Sequence, residues 1–595
     1  MMLHRDSHRL GVTGIMGVLL LLLAGCGGPN PVMTPTPTPT TPVSPLEIVS
    51  YDLHIPAELL NAPTIGPLPG TTKLHVGFTF KTNQQLLNQL GKLKVQQGQG
   101  QSLESVANQL GINDATYQQI KAFFGIENVT LSLNAVHTTL MVDGQAAVFA
   151  RLFQTQFVLH QLNGRQVFAP ASNPKMPRFL ADALVAITGM DNFTQPPHKR
   201  SFMPHPFSAG AFGASRKPGA NCQPNPSTVP IDTIGRLYGY NDLWQAGFDG
   251  AGMTINLLEF DTVDKPDLDN YFACSHFRGK FTTVDVLHTP PHNVIGESLI
   301  DVETIASLAP AANIVDFQLD QNTVSTDPFL DVLQEIINAY AKNASSASVL
   351  SISWGNAEAL FSPQDIMAID QNLSILTKGE HMTVFVAAGD CAAFDDEKFG
   401  DLSVDFPGTD PSAVDVGGTM PGQGSTNGKA NEAVWADGSN HKKCQNLWGG
   451  GGGNSVVFKR PAYQKAMGVD NEYSRGMREV PDVTAFAFPL AAYLKGQWTL
   501  GGGTSAAAPE WAAAMSLLNE ATIKKFNGTY FYGPSLFYQV EQYAQGQQNV
   551  HPYRDITRGN NLHFPATPGW DFASGLGAPN LPDFYQVLLV LAQQP

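Results

Sequence analysis

The sequence predicts an α/β protein in which residues 222–595 form a doubly wound, mostly parallel sheet, preceded by a smaller α+β domain. Two observations support this prediction. In the carboxyl-terminal part, short apolar segments rich in β-branched residues alternate with helix-like segments, and strands joined in this way form a parallel sheet. In the amino-terminal part, alternating and helical patterns are mixed. The four apolar segments are residues 254–260, 313–319, 348–354 and 383–389.

Three segments between these strands carry helix start signals. One begins near Glu297, one follows Asp327 and has Pro328 in its first turn, and one begins at Ser362 and ends at Gly379. Asp, Ser and Pro are favoured where helices begin, and Gly where they end. Ligands of a doubly wound sheet bind at the carboxyl ends of its strands. Residues that directly follow the predicted strands are therefore the first candidates for a functional site.

Residues 46–195 form the predicted α+β domain. Residues 74–80 alternate as in a half-buried strand, Ser102 predicts the start of a helix, and the Asn-Gly pair at 163–164 predicts a hairpin. The segment 196–221 that follows is rich in Pro, Gly, Ser and basic residues and lacks periodicity. We expect it to be an exposed joint between the two domains, open to proteolysis.

The first 26 residues are typical of an export signal. Two arginines precede an apolar run at 15–24, which is too short to span a bilayer, and small residues then lead to Cys26. This ending resembles a bacterial lipobox, in which the cysteine becomes lipidated and attaches the protein to a membrane. The alternative is plain secretion with a coincidental cysteine. The Pro/Thr-rich residues 27–45 are typical of a tether and favour the anchored form.

Four cysteines remain after this leader: Cys222, Cys274, Cys391 and Cys444. An even number in an exported protein permits disulfides, with three possible connectivities. Sequence order favours Cys222 with Cys274 and Cys391 with Cys444. The spacing matches no zinc motif.

The charge balance excludes one class of partner. The chain has 35 Lys and Arg against 51 Asp and Glu, a formal net charge of −16 at pH 7. Binding to a phosphate backbone requires a basic face. We therefore expect no nucleic-acid partner.

The run GGGTSAAAP at 501–509 places Ser505 between a glycine turn and an apolar helix. Glycines permit a sharp turn, and backbone N–H groups at a helix N-terminus favour negative charge. A serine at this position is suited to attack a carbonyl group while its own N–H stabilises the oxyanion. The alternative is a structural glycine turn that leads into a buried helix.

Glu297 and Asp301 are four residues apart, so on a helix they lie one turn apart on the same face. Two like charges at this spacing favour a shared proton. Such a pair can act as a general base, with the second carboxyl orienting the first. The alternative is a solvated acidic helix end, because acidic residues stabilise the first turn of any helix.

Asp390 directly follows the apolar segment 383–389. A carboxyl group near an oxyanion stabilises it only while protonated, because only then does it donate a hydrogen bond. The alternative is an ordinary turn or N-cap aspartate.

Together these motifs resemble those of the sedolisins, the serine-carboxyl peptidases, and most of all their kumamolisin-like, bacterial members. The resemblance covers nearly the whole chain after the leader, and residues 46–195 resemble the family's activation domain. The matching motifs are residues 501–509, the Glu297/Asp301 pair, AGD at 388–390, SISWG at 351–355 and VGGT at 416–419.

The resemblance implies a subtilisin-like fold and an acid-acting, serine-type endopeptidase that hydrolyses polypeptides through an acyl-enzyme. It also implies a self-processing pro-enzyme in which the activation domain acts as an intramolecular inhibitor. Cleavage in the joint is expected to free the peptidase domain from the lipid anchor into the medium. The implied roles are Ser505 as nucleophile, Glu297 as general base, Asp301 as its partner, Asp390 as oxyanion-hole acid, and Glu259 and Trp354 as residues that support the carboxylates.

Three alternatives remain open at this point. A subtilisin-type peptidase has a similar serine motif but needs a histidine base near Glu297, and none of the fifteen histidines has that setting; the nearest, His292, lies among prolines. A tripeptidyl-peptidase of the same family has the same site residues. A surface binding protein that has lost catalysis could also use this fold; the intact set of site residues argues against it.

The resemblance also implies one structural Ca²⁺ near the carboxyl terminus. Two carboxylates and several carbonyl oxygens suit this hard cation. The family usually has Gly where Thr567 stands, but a carbonyl ligand does not depend on the side chain. Without the resemblance, the two aspartates would be read as turn formers. The implied ligands are the side chains of Asp555 and Asp571 and the carbonyl oxygens of Ile556, Thr567 and Gly569.

The glycine run 449–453, followed by Asn454 and Ser455, is a candidate wall of the substrate groove. A flat glycine segment can pair with an extended peptide by strand addition. The alternative is a flexible loop. Side-chain preference at the cleaved bond does not follow from this segment.

Overall fold

The computed structural model describes residues 47–92, 94–125, 128–195, 198–199, 222–224, 228–292, 294–320, 327–343, 345–395, 401–422, 431–437, 448–467 and 469–594. The predicted leader, tether and lipidation site, Cys444, and the joint except for residues 198–199 lie outside the described residues. Across the described ranges, no helix is both long and apolar enough to cross a membrane.

The carboxyl-terminal domain is built on a central sheet that has eight strands in the described part of the chain. All neighbouring strands pair in parallel except Glu432–Val434, which pairs antiparallel. The predicted parallel sheet is therefore confirmed. The strands, in spatial order, are Phe281–Asp285, Asn313–Gln318, Thr254–Glu259, Val349–Ile352, Thr383–Ala387, Val414–Pro421 and Glu432–Val434, and Val483–Phe486 also pairs with Val414–Pro421.

Helices cover both faces of this sheet, which explains why its central strands are mostly apolar. One face packs against Glu297–Leu308, here called the acidic helix, and Thr504–Lys525, here called the serine helix. The other face packs against Pro328–Tyr340 and Pro363–Ser374. The predicted starts of all three helices between the strands are confirmed: the acidic helix begins at Glu297, and Asp327 and Ser362 cap the next two.

The other elements of this domain surround the central sheet. The other helices are Ile231–Tyr238, Tyr240–Gln245, Lys265–Ser275, Ala462–Met467, Ser535–Ala544 and Leu581–Gln593. The other strands are Trp354–Ala357, Asp405–Phe406, Ala436–Asp437, Trp448–Gly449, Gly453–Lys459, Met477–Val480, Leu490–Leu494, Gln497–Gly501, Thr529–Phe531, Tyr553–Arg554 and Ala578–Pro579.

The amino-terminal domain mixes helices and antiparallel strands, as predicted. The Asn163-Gly164 hairpin is confirmed: both residues have positive φ, 48° and 82°, as a tight two-residue turn requires. Its helices are Ala57–Leu60, Gln84–Leu90, Ala107–Leu110, Asp114–Phe124, Ala146–Leu152 and Arg178–Ala183. Its strands are Ile48–Ser50, Thr64–Pro67, Lys73–Phe80, Lys94–Gln96, Thr130–Leu133, Thr139–Gln145, Phe157–Leu162, Arg165–Pro170, Lys175–Pro177 and Leu184–Thr188.

The helix predicted to start at Ser102 is present, and the Ser102 hydroxyl oxygen accepts the Ser105 N–H at 3.4 Å. It is a 3₁₀ turn at Glu104–Val106 that continues as Ala107–Leu110. Leu103, Val106 and Leu110 still share one buried face, and that face packs into the core of the carboxyl-terminal domain. Apolar side chains of the two domains are therefore buried against each other in one core.

One strand pairing and one disulfide lie near the two ends of the joint. His198–Lys199 form a short strand that pairs antiparallel with Gly355 and Trp354. Cys222 forms a disulfide with Cys274, as the sequence order favoured. Cys391 is also disulfide-bonded, whereas Cys444, its predicted partner, lies outside the described residues.

Candidate active site

Ser505 lies in the first turn of the serine helix and is 1% exposed. The chain enters this helix through Gly502, whose φ is 151° and where a Cβ atom would lie 2.4 Å from the Ala487 carbonyl oxygen. A larger residue is excluded there, because real Cβ atoms do not approach a backbone oxygen so closely. The glycine turn thus places Ser505 at the carboxyl ends of the central strands.

Ser353 links the serine helix to the acidic helix. It follows the Val349–Ile352 strand, and its hydroxyl lies 2.6 Å from Asp301 Oδ2 and 3.1 Å from the Ser505 carbonyl oxygen. That carbonyl accepts no helical hydrogen bond from position 509, because Pro509 lacks an N–H. A hydroxyl has a single hydrogen, so Ser353 donates either to Asp301 Oδ2 or to the Ser505 carbonyl oxygen, and the shorter contact is the one to Asp301.

Glu297 and Ser505 face each other at the bottom of the site. The Glu297 side chain is 1% exposed, and neither of its oxygens has a hydrogen bond of good geometry among the described groups. The Ser505 hydroxyl lies 3.4 Å from the Ser353 carbonyl oxygen, a long contact. Burial and the neighbouring Asp301 raise the pKa of Glu297 well above its usual value, and the nearby Ser505 hydroxyl partly offsets this. Catalytic hydrogen bonds are often this loose without substrate.

Asp301 connects Glu297 to a deeper carboxyl, that of Glu259. Burial raises the pKa of Asp301 well above its usual value, and hydrogen bonds with Ser353 and Glu259 lower it in part. Glu259 Oε2 accepts hydrogen bonds from the Trp354 indole at 2.8 Å and the Ser298 hydroxyl at 2.9 Å. The Trp354 indole therefore orients Glu259, and Glu259 in turn lies against Asp301.

The site contains more buried carboxyls than the sequence analysis singled out. Each is at most 1% exposed, burial raises the pKa of each, and the charges that raise these pKa values further belong to other carboxylates. Like charges this close cannot all ionise, so the group retains protons and titrates as a unit. The members are Glu259, Asp261, Glu297, Asp301 and Asp316.

Asp390 lies on the opposite side of Ser505. It follows the Thr383–Ala387 strand and is fully buried. Its Oδ1 accepts hydrogen bonds from the Thr504 N–H and hydroxyl, both at 2.8 Å. These contacts hold the Asp390 carboxyl beside the N-terminal turn of the serine helix, where an oxyanion would be stabilised.

The structure therefore brings together all six residues singled out around the serine motif. A hydroxyl lies between a proton-sharing carboxyl network and a separate carboxyl at a helix N-terminus, an arrangement suited to acyl transfer. Three contributing residues were missed: Ser353, within the quoted SISWG motif, Asp316, within the predicted strand 313–319, and Asp261, which directly follows the predicted strand 254–260 and was marked by the same signal as Asp390. No described histidine takes part in these contacts.

Comparison with known proteins shows which family this chain belongs to. Residues 63–193 match the family model described as the pro-kumamolisin activation domain. Kumamolisin from Bacillus sp. (strain MN-32) is 30% identical over 441 residues, which cover 71% of this chain and 73% of that protein. The chain belongs to the sedolisin family. It is a kumamolisin-like pro-enzyme of the serine-carboxyl peptidases, with an amino-terminal activation domain.

Two further sedolisin relatives match over most of their length. Sedolisin from Pseudomonas sp. (strain 101) is 24% identical over 85% of this chain and 84% of that protein. Tripeptidyl-peptidase sed5 from Aspergillus fumigatus is 23% identical over 86% and 93%. The solved structure of Pseudomonas sedolisin complexed with two molecules of pseudo-iodotyrostatin has a TM-score of 0.53, covers 61% of this chain and 99% of that chain, and is 21% identical. That structure confirms the predicted subtilisin-like fold.

The glycine run packs against the same end of the sheet. The N–H of Gly449 donates to the Asp390 carbonyl oxygen and that of Gly451 to the Gly389 carbonyl oxygen. A Cβ atom on Gly451 would lie 1.9 Å from the Ala388 carbonyl oxygen. This close approach requires glycine, and the run borders the site. Its pairing with a substrate stays a prediction.

The predicted Ca²⁺ ligands lie in one loop region whose chemistry fits a hard cation. Asp571 is 2% exposed, and burial raises its pKa to about 6 despite several backbone hydrogen bonds. Asp571 Oδ2 accepts the Thr567 N–H at 2.7 Å, and Asp555 Oδ2 accepts the Gly569 N–H at 3.0 Å. Both carboxylates therefore contact the same 567–569 segment, and within the described ranges no cluster of three metal-ligating side chains occurs.

We expect Ca²⁺ removal to lower the melting temperature of the pro-enzyme. A cation that binds only the folded state stabilises it by about 2.7 kcal/mol at a hundredfold excess over Kd. Calorimetry of the protein before and after chelation measures this effect, and Asp571→Asn is expected to abolish it. An unchanged melting temperature after chelation would remove the case for the ion.

Proposed function

We propose that this sedolisin-family pro-enzyme is an acid-acting serine endopeptidase whose catalytic residues are Ser505, Glu297, Asp301 and Asp390. The observation that supports this most is the path of contacts from Ser505 through Ser353 to Asp301, with Glu297 facing the Ser505 hydroxyl. In this proposal Glu297 accepts the Ser505 proton as the hydroxyl oxygen attacks the peptide carbonyl. The same proton then passes to the leaving amine, and water hydrolyses the acyl-enzyme by the reverse sequence.

Asp301 and Glu259 support the base in this scheme. When Glu297 takes the proton, a proton shared within the buried carboxyl group can redistribute, so that no isolated charge is left in an apolar environment. Trp354 has no proton to exchange at these pH values and only orients Glu259. Asp301 has the orienting role that Asp has in a Ser-His-Asp triad.

Asp390 is proposed to stabilise the oxyanion together with the Ser505 N–H. It donates a hydrogen bond only while it carries a proton. Glu297 must at the same time be able to accept one. Activity therefore requires one carboxyl protonated and another deprotonated, which predicts a bell-shaped pH profile with its maximum below pH 7. A maximum at neutral or alkaline pH would contradict the mechanism.

Internal cleavage is proposed over tripeptidyl release, supported by the resemblance to the kumamolisin-like, bacterial members. The test is digestion of an unfolded protein whose amino terminus has been acetylated, followed by mass spectrometry of the products. An endopeptidase cuts the blocked chain at internal bonds. A tripeptidyl-peptidase requires a free amino terminus, so inertness toward the blocked chain with tripeptide release from the unblocked one would favour that activity.

The activation domain is proposed to inhibit the peptidase until the joint is cut. Its packing against the Pro328–Tyr340 and Pro363–Ser374 helices supports this, as does the pairing of His198–Lys199 with Trp354 beside the site. Because His198 and Lys199 pair with Gly355 and Trp354 next to the site, cleavage of the joint by the peptidase of the same chain is proposed.

We expect His75→Ala to destabilise the attached activation domain. The buried His75 ring contacts Asp331 of the peptidase domain at 2.9 Å and Asp143 at 2.5 Å. Burial lowers the pKa of His75, but the two carboxylates outweigh this and raise it to about 10. The stability contributed by protonated His75 is therefore fully present below about pH 6.5, and it is lost as pH rises through about 10. Removing His75 leaves Asp331 buried without this cation, at a cost of about 3–5 kcal/mol.

Thermal unfolding of the pro-enzyme at pH 6, in a Ser505→Ala background that prevents processing, measures this cost. The matched control is His54→Ala, which removes an exposed His–Asp contact and is expected to change the melting temperature little. Equal melting temperatures for His75→Ala and the control would show that the buried pair does not hold the domain in place.

Localisation at a bacterial surface is proposed from the leader alone. The lipobox-like ending at Cys26 and the tether at 27–45 support attachment of the activation domain, and cleavage of the joint would then release the peptidase. Immunoblots of membrane and medium fractions test this. Mature enzyme that stays on the membrane in high salt would contradict release.

A further inference from the structure

Asp261 is a buried carboxyl to which the proposed mechanism assigns no step. It lies two residues beyond Glu259, just past the end of the Thr254–Glu259 strand, and is 1% exposed. Its side chain reaches across to the acidic helix, to the turn that carries Glu297. Asp261 thus connects the strand that holds Glu259 to the helix that holds the base.

Four backbone N–H donors converge on this carboxyl. Oδ2 accepts the N–H groups of Ile295 at 3.2 Å, Gly296 at 3.0 Å and Glu297 at 3.2 Å. Oδ1 accepts the Ser298 N–H at 2.9 Å and also contacts the Ser298 hydroxyl, whose single hydrogen is shared with Glu259 Oε2. The four backbone N–H groups can only donate, so a proton on either oxygen would displace one of them. These contacts favour the carboxylate form and oppose the burial that raises the pKa of Asp261.

The same contacts set the geometry of the base. The acidic helix starts after Gly296, which has φ of 108°, and its first N–H groups would otherwise lack partners. No side chain of the Gly296 cap position can supply them. The Asp261 carboxylate takes this role from a neighbouring strand and includes the N–H of Glu297 itself. A shift of this turn would move the Glu297 carboxyl relative to Ser505.

We propose that Asp261 is a positioning residue for the peptidase reaction: it holds the turn that carries Glu297 and provides the fixed negative charge of the buried carboxyl group. This inference rests on the proposed role of Glu297 as general base. It adds a residue that acts through the base and does not itself contact the reacting atoms.

The neighbouring charges show what the fixed anion does. Burial is the largest cause that raises the pKa values of Glu259, Glu297, Asp301 and Asp316. The negative charge of Asp261 raises the pKa of each of these carboxyls further. An anion held by four backbone N–H groups thereby keeps protons on its neighbours, which can share or pass them. The titratable groups around Asp261 are Glu259 on its own strand, Glu297 and Asp301 on the acidic helix, and Asp316 on the adjacent Asn313–Gln318 strand.

The test is the pH dependence of kcat and KM for the processed enzyme carrying Asp261→Asn. The substitution removes the charge and places the amide NH₂ group, which donates, against backbone N–H groups, which also donate. We expect kcat to fall about 10- to 100-fold, as misplacement of a catalytic group does, with KM nearly unchanged. Losing the anion lowers the pKa of Glu297, so the base stays deprotonated in more acid solution. The acid limb of the kcat profile is therefore expected to move to lower pH.

Two variants separate charge from structure. Asp261→Glu retains the charge in a longer side chain. We expect this variant to have a lower kcat but an acid limb at the same pH as in the wild type. Asp264→Asn removes the charge of an ordinary cap of the neighbouring Lys265–Ser275 helix but keeps an oxygen that can accept the Asp267 N–H, and it is expected to change neither kcat nor the limb. If Asp261→Asn lowers kcat but leaves the acid limb in place, Asp261 is only a structural cap and the proposal is overturned.

The remaining outcomes are also decisive. Unfolding of each variant is measured in the Ser505→Ala pro-enzyme, and if Asp261→Asn does not fold, Asp261→Glu decides: a displaced acid limb with the charge retained contradicts the proposal. Glu297→Gln is measured in the same assay. If that variant keeps its activity, the proposed base is wrong. If it loses activity while the limb of Asp261→Asn stays in place, only the role of Asp261 fails.

Discussion

Replacing Ser505 with Ala is expected to reduce kcat by about 10⁶-fold, the magnitude that loss of a serine nucleophile has in a comparable serine peptidase. The residue is buried at the start of the serine helix, 3.4 Å from the Ser353 carbonyl oxygen and facing Glu297. The variant is therefore also expected to retain its activation domain, because self-processing uses the same nucleophile.

Ser505→Ala and wild type are compared at mildly acid pH by gel analysis of the pro-enzyme and by digestion of an unfolded protein. Ser516→Ala is the matched control, because this serine is also fully buried on the same helix but lies three turns further on. It is expected to process and digest like the wild type. Full activity of Ser505→Ala would exclude the serine mechanism, and an inactive wild type would favour a binding protein on this fold.

Glu297→Gln is expected to lower kcat/KM by about 10⁴-fold, near the upper limit for loss of a general base. Glutamine keeps the size of the side chain but cannot take the Ser505 proton. In the wild type, burial and Asp301 raise the pKa of Glu297, so the base is lost as pH falls through that raised value. The residual activity of Glu297→Gln is therefore expected to lack the acid limb.

The control for this experiment is Glu303→Gln on the same helix. Glu303 is equally buried, and burial raises its pKa, but its oxygens accept the Tyr493 N–H on the far side of the site. Glutamine can still accept that bond, so activity and pH profile are expected to stay close to the wild type. A Glu297→Gln enzyme with the wild-type acid limb would show that another group is the base.

The pattern of the central sheet and the positions of its helices follow from local sequence. Runs such as residues 383–389 are apolar throughout because helices cover both faces of the sheet. Asp327 and Ser362 cap the helices they were expected to start, since their side-chain oxygens accept N–H groups three residues on. The segment at Ser102 shows the limit of such patterns, because its first turn is a 3₁₀ turn, which apolar spacing alone does not specify.

Local sequence also determined which residues could react. The Gly-Gly-Gly-Thr-Ser motif is a short-range feature, and so is the pair of carboxyls one helical turn apart. The backbone geometry of each depends on the residues around it. Only the tertiary structure decided which of these groups meet. Ser353 lies 152 residues from Ser505, Trp354 lies 95 residues from Glu259, and Asp261 lies 36 residues from Glu297. Contacts at such separations depend on strand order and on how each helix packs across the sheet. The buried carboxyl group therefore becomes visible only when strands and helices are assembled, because burial, which shifts its protons, is a property of the whole fold.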